Sequence, residues 1–381
     1  MMLTGILQTV LRNAVVSLLG TFLAVLLGTL PLSAHHVPAA KFDPTKSMTL
    51  KGTVTKIDWL NPHVHIFMET QIPNGRKIWA IELESTVDLR RSGWTKDTVK
   101  IGDAVTVQGI VARNGSNQVW SNSFVVDATG KRVFTVTPAQ PPHGPAGPTP
   151  RWADGQPRLG PPLGQKAGYW AFPSATTLIQ TGVNVQADRY GLLRNISDVD
   201  KVAPFQRWAR DLYEFRQRNF LKDDPMFVTC KPQSGPRIFQ LPYGVQFLEE
   251  REFKRIRVML GAGNQNHRFI YLDGRPQTGD IAGNADAPLY FAHASGKWEG
   301  DTLVVDTKGF NDRFWFSNGG LPHTEELHLI ERFTRTDLNT LRYEVTIDDP
   351  GAYTKNWSSG WTLTWVPGEE LPIYYCQDNR P

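Results

Sequence analysis

Leu327-His328-Leu329-Ile330-Glu331-Arg332-Phe333 and, after a turn, Leu341-Arg342-Tyr343-Glu344-Val345-Thr346-Ile347 decide the fold class. Apolar and polar side chains alternate in both, and aromatic and β-branched residues are frequent. That is the pattern of strands with one face in a core. Upstream, Trp298-Glu299-Gly300-Asp301 is a good hairpin sequence, and Thr302-Leu303-Val304-Val305-Asp306 follows it. Downstream, Asp348-Asp349-Pro350 turns the chain before Trp361-Thr362-Leu363-Thr364-Trp365 and Ile373-Tyr374-Tyr375. Val245-Gln246-Phe247-Leu248 and Phe269-Ile270-Tyr271-Leu272 precede the set. Successive strands joined by modest loops predict an antiparallel meander closing into a lipocalin-like barrel over residues 163–381.

A second β region lies over residues 35–137. Thr49–Ile57, Val64–Met68, Ile78–Glu82, Ala104–Gly109 and Gln118–Val126 read as short strands, separated by Pro73-Asn74-Gly75, Gly102-Asp103 and Asn114-Gly115. Several short strands in so little chain predict a small OB-like barrel. A Pro/Gly-rich stretch over 138–162 composes like a linker and places the domain boundary there. One helix is predicted over 204–219, with Phe205, Trp208, Leu212 and Phe215 as its apolar stripe. Pro204 suits its first turn, and Asp223-Asp224-Pro225 should end it.

Residues 1–34 contain one charged side chain, Arg12, then an apolar run from Ala14 to Leu30, a break at Pro31 and small Ser33-Ala34. This layout predicts a secretory leader and a periplasmic protein. An uncleaved segment would instead anchor the chain to the membrane. The two cysteines, Cys230 and Cys376, can form one disulfide in an oxidising compartment. With 41 Lys+Arg against 37 Asp+Glu and no long basic run, the chain gives no sign of nucleic-acid binding.

The blocks LKGTVTKIDWLNPHVHI, WAIELES and GWTKDTVKIGDAVTVQG resemble a small exported bacterial domain family of unknown function. Further on, GKWEGDTLVVDTKGFND, PHTEELHLIERFTR, YEVTIDDPGAYTKNW and YYCQDN resemble the partner region of its longer members. The resemblance implies export and a β-rich fold, and it carries no activity. His65 stands where an apolar or aromatic residue is more usual.

Three sets of residues are candidates for chemistry. Trp298, Trp315, Arg268 and Tyr343 could line the larger barrel and bind a small apolar or aromatic molecule, or Arg268 could hold an anion. His323, Glu331, Arg332 and Asp306 could act in acid/base catalysis, as a cofactor-independent lyase, isomerase or hydrolase, if the fold brings them together. His35, His36, His63 and His65 could hold Cu or Zn, since imidazole suits both ions and His63 and His65 would share one face of a strand. Each set has an ordinary structural use too: aromatic residues fill cores, and carboxylates at hairpins are solvated. No nucleophile elbow, phosphate loop, dinucleotide fingerprint or haem motif occurs.

Overall fold

The computed structural model describes residues 41–61, 63–127, 130–135, 147–165, 167–171, 178–187, 191–219, 223–240, 243–262, 266–275 and 289–372. The predicted leader, His35, His36, Cys376 and the strand predicted at 373–375 lie outside these residues. The chain is mainly β, with a sheet in its first third and a closed barrel of nine strands after it.

The first sheet holds β1 (Phe42–Asp58), β2 (His65–Ile72), β3 (Gly75–Glu82), β4 (Ala104–Ala112), β5 (Gln118–Val126) and β6 (Lys131–Thr135). Its order is β3-β2-β1-β4-β5-β6, and β3 also pairs with β5 in parallel. That extra pairing joins the first five strands in a ring, β1-β2-β3-β5-β4, the OB-like connectivity expected. The long β1 makes the ring possible by serving two neighbours. It pairs with β4 from Phe42 to Thr53 and with β2 from Thr53 to Asp58. Gly52 stands at this change of partner. A Cβ there would lie 2.2 Å from the Glu69 carbonyl oxygen, so only glycine lets β2 approach. Inward positions alternate as the pattern requires: Ile66 and Met68 on β2, Val105 and Val107 on β4, with Trp94 and Phe124 edge to face at 5.7 Å between them. Helix α1 (Thr86–Arg91) leaves β3, and Ser85 caps it by accepting the Asp88 N–H at 3.0 Å.

The larger barrel runs β10-β11-β12-β13-β14-β15-β7-β8-β9. Its strands are β7 (Gly168–Ala171), β8 (Val245–Glu250), β9 (Arg255–Leu260), β10 (His267–Tyr271), β11 (His293–Glu299), β12 (Thr302–Lys308), β13 (His328–Arg335), β14 (Thr340–Asp348) and β15 (Trp357–Pro367). Neighbours are antiparallel except β10 and β11, which pair in parallel through Ile270–Ala294 and Tyr271–Ser295. Geometry demands one such pair, because an odd number of strands cannot alternate in direction all the way round a closed ring. β7, β9 and β11 were not read as strands from the sequence. All four residues of β7 are buried, so it shows no alternation. β9 looks like a basic run, and β11 carries Ser295, Gly296 and Lys297, which are weak strand formers.

Nine strands enclose more volume than the eight of a lipocalin, and the chain enters it itself. The 3-10 turn Gly235–Phe239 is buried at every residue. Phe239 meets Tyr343 at 4.7 Å, Phe333 at 5.3 Å and Phe247 at 6.5 Å between ring centroids. Its carbonyl accepts Trp361 Nε1 at 3.1 Å. The turn is anchored by Arg237, which donates to both oxygens of Asp224 and to Asn318 Oδ1.

The Pro/Gly-rich stretch divides. Residues 136–146 lie outside the described set, whereas its later part lies on the larger barrel. Arg335 donates to the carbonyls of Arg158 and Gly160, and Glu249 accepts from Trp152 Nε1 and from the Leu159 and Gly160 amides. Proline-rich backbone has few donors of its own, but its carbonyls are ready partners for a buried arginine.

The described helices after α1 are α2 (Val199–Val202), α3 (Arg207–Arg218) and α4 (Pro225–Thr229). α3 buries a different face from the aromatic stripe expected. Ala209, Tyr213 and Gln217 point inward, while Trp208 is 45 % and Phe215 51 % exposed. The neighbouring loops decide this. Gly191 and Gly319 present carbonyls, and the Gln217 amide donates to both, at 3.1 and 2.7 Å. A buried carbonyl needs a donor more than an exposed ring needs a core. Pro204 precedes α3 rather than opening it, and Asp224-Pro225 starts α4 rather than ending α3, with Asp224 as its N-cap.

Candidate functional site

The larger barrel places a polar centre inside an aromatic lumen. On β13 the inward residues are Leu329, Glu331, Phe333 and Arg335. β10 contributes Arg268, β12 Thr307 and β14 Tyr343. These four side chains meet. Arg268 Nη2 donates to Glu331 Oε2 at 2.7 Å, Thr307 Oγ1 donates to the same oxygen at 3.2 Å, and Tyr343 OH donates to Oε1 at 3.1 Å. Glu331 and Tyr343 are fully buried, and Arg268 is 2 % exposed. Burial, and then the adjacent Glu331 charge, push the Tyr343 hydroxyl well above its ordinary pKa, so it remains a donor. The Phe239 ring lies 5.9 Å from the guanidinium carbon. Arg268 Nε is buried and has no hydrogen-bond partner.

A second convergence occurs in the small barrel around Glu82, which is 3 % exposed. Lys41 Nζ is 2.7 Å from Oε2, His63 Nδ1 2.6 Å from Oε1 and His65 Nε2 3.5 Å from Oε2. Strand register brings His65 opposite Glu82, and His63 reaches it from the turn before β2. That turn is held by Asn61, whose Oδ1 accepts the Thr86 amide at 3.1 Å and its hydroxyl at 2.8 Å. The blocks WLNPHVHI and WAIELES, apart in sequence, thus form one site. Burial alone would raise the pKa of Glu82. The hydrogen bonds from His63 and His65 and the charges of His63 and Lys41 outweigh it and hold the carboxyl well below its ordinary 4.5. His63 also stands edge-on to Trp120 at 5.1 Å.

The other residues singled out in the sequence are dispersed. Arg332 and Asp306 point outward: Arg332 pairs with Glu299 at 3.2 Å, and Asp306 with His328 at 3.1 Å. Both ring nitrogens of the buried His323 face carbonyls, Phe314 at 3.0 Å and Thr324 at 3.1 Å. Burial lowers its pKa, and these carbonyls pull the other way. So Glu331 alone of His323, Glu331, Arg332 and Asp306 stands at the polar centre. Of the four residues expected to line the lumen, Arg268 and Tyr343 are in it. Trp298 is partly buried against the barrel core. Trp315 lies instead under Arg216, whose guanidinium carbon is 4.7 Å from its ring. His63 and His65 converge on Glu82. Among the described residues, no group of three His, Cys, Asp or Glu could hold a metal ion. Cys230 is not a free thiol, and Cys376, its expected partner, lies outside the described residues.

Sequence reading missed Thr307, Phe239, Lys41 and Glu82. Glu82 had a signal: it follows the apolar run Ile78-Trp79-Ala80-Ile81, where a carboxylate needs a partner. Phe239 had none, since nothing local distinguishes a turn that enters a barrel from one on its surface.

No curated protein matches the chain. The downstream blocks, from GKWEGDTLVVDT onward, lie outside residues 24–120, where a family model matches. Residues 24–120, which span the Glu82 site and most of the small barrel, are similar to a family described as of unknown function, DUF6152.

Proposed function

We propose that this is an exported protein whose larger barrel binds a small molecule with an apolar or aromatic body. One observation carries the reading. Arg268 is buried among Phe239, Glu331 and Tyr343, yet its Nε–H has no acceptor. A buried guanidinium donor left unmade costs about 1–3 kcal/mol, so such groups ordinarily find water or a ligand. The aromatic rings around it supply the apolar contact that small-molecule sites use, with few polar groups to orient the ligand. Export is supported by the N-terminal layout and by the absence of free cysteines among the described residues. The experiment is native mass spectrometry of the full chain expressed with its own leader and purified without chelator. A non-covalent organic mass that is lost in Arg268→Met supports the reading. Apo protein throughout, with no mass taken up from a library of small aromatic compounds, refutes it.

A second reading, Cu or Zn binding, is favoured by His63. Its Nδ1 lies on the Glu82 carboxylate, the arrangement that orients an imidazole to offer its other nitrogen to a metal. His65, His35 and His36 would supply the remaining ligands. Retention of one Cu or Zn in the same spectrum, abolished by His63→Ala, tests it. An unchanged metal content in that variant refutes it.

A further inference from the structure

We infer that the turn between β4 and β5 is a self-processing deamidation site at Asn114-Gly115, and that the fold rather than the dipeptide makes it one. The chain holds three Asn-Gly pairs: Asn74-Gly75, Asn114-Gly115 and Asn318-Gly319. In such a pair the glycine amide nitrogen attacks the asparagine Cγ, an intramolecular step in which no Cβ shields the nucleophile. A bond forms between that nitrogen and Cγ. The bond from Cγ to Nδ2 breaks, and ammonia leaves with the proton of the attacking N–H. Water then opens the cyclic imide at either carbonyl, so Asn becomes Asp or isoAsp with no other reactant.

Asn114 meets the two demands of that step, room and a stabilised oxyanion. It is exposed, and its glycine is open: Gly115 has φ 76°, and a Cβ there would meet nothing within 4 Å. Asn114 Oδ1, the oxygen that turns negative during attack, accepts the Ser116 amide at 3.0 Å and the Ser116 hydroxyl at 2.7 Å. Two donors held on a developing oxyanion lower the barrier to reaching it. One bond opposes the attack, from the Gly115 N–H to the Ala112 carbonyl, and at 3.2 Å it lies at the long end of the normal range. Asn74 is also exposed beside an open glycine, but its side chain makes no hydrogen bond among the described residues. Asn318 is buried and held at both ends. Arg237 Nε donates to its Oδ1 at 3.1 Å, and its Nδ2 donates to the Gln240 carbonyl at 3.1 Å. A Cβ on Gly319 would lie 2.8 Å from the Gly191 carbonyl oxygen, so the packed backbone leaves that pair no freedom to close a ring. Reaction at Asn114 also has a structural consequence. The Ala80 N–H donates to the Asn117 carbonyl at 2.9 Å, and Ala80 pairs with Gln118 where β3 closes the ring on β5. An isoAsp at 114 lengthens the backbone of the turn that sets this register.

The test is peptide mapping by mass spectrometry of the full chain held at neutral pH, with Asp and isoAsp products separated by retention time. Asn114 is expected to convert fastest, and Asn318 to stay intact. Asn74 should be about fivefold or more slower than Asn114, the worth of two exposed hydrogen bonds. Ser116→Ala removes the hydroxyl donor and should slow Asn114 about two- to tenfold, with Asn74 as the internal clock. In urea, where the turns are lost, Asn74 and Asn114 should converge. Asn74 keeping pace with Asn114 in the folded chain, an Asn114 rate unmoved by Ser116→Ala, or a difference that survives in urea overturns the inference. Each would mean that local sequence, not the fold, sets the rate.

Discussion

Removing one member of the Arg268–Glu331 pair should damage the larger barrel far more than removing both. Arg268→Met leaves a fully buried carboxylate with only the Tyr343 and Thr307 hydroxyls for company. Glu331→Leu leaves a guanidinium that already lacks an acceptor at Nε. Each single change breaks a buried pair, which costs about 3–5 kcal/mol. The double variant buries two apolar side chains of similar volume in an aromatic lumen, so it should lie near the wild type or up to about 4 kcal/mol above it. Tyr343→Phe removes one hydrogen bond to the carboxylate and should cost about 1.5–3 kcal/mol. Urea unfolding followed by far-ultraviolet circular dichroism and tryptophan fluorescence gives the five midpoints, wild type included. The coupling between the two sites should then be large and of the sign that rescues the double variant. A double variant that costs the sum of the singles refutes the reasoning, because it would mean the two charges are not one desolvated unit.

Three other outcomes are expected. Because the folded Glu82 pKa lies below its ordinary 4.5, the stability it contributes is fully present above that value and lost as pH falls through the folded pKa; Glu82→Gln should flatten the acid limb of a thermal-denaturation profile, and an unchanged limb would count against the Lys41–His63–His65 cluster as its source. His323 is lowered from 6.5, so the unfolded chain binds its proton first and stability should fall as pH drops below 6.5; His323→Gln should remove that slope near neutrality, and a slope that persists would place it elsewhere. On α3, Tyr213→Ala should cost about 3–5 kcal/mol, whereas Trp208→Ala should cost less than about 1.5 kcal/mol, since Tyr213 is 1 % and Trp208 45 % exposed; equal losses in urea denaturation would show that the exposed stripe is packed after all.

Alternation along Leu327–Phe333 and Leu341–Ile347 was enough to predict strands and their two faces, because side chains on a strand obey a period of two whatever lies around them. The same period put Glu331 and Arg332 on opposite faces by necessity, without deciding which of the two faced in. Three things were beyond local pattern. β11 reads poorly as a strand, yet barrel closure supplies it with neighbours on both sides. The face of α3 was set by the carbonyls of Gly191 and Gly319, which no periodicity within the helix records. The meeting of Arg268 with Glu331, and of His63 and His65 with Glu82, depends on which strands lie side by side. Residue types and their spacing are local properties, so the sequence alone could nominate these side chains. Closing a ring of strands is a property of the whole chain, so only the tertiary structure could bring them within bonding distance and leave Arg268 with a donor unmet.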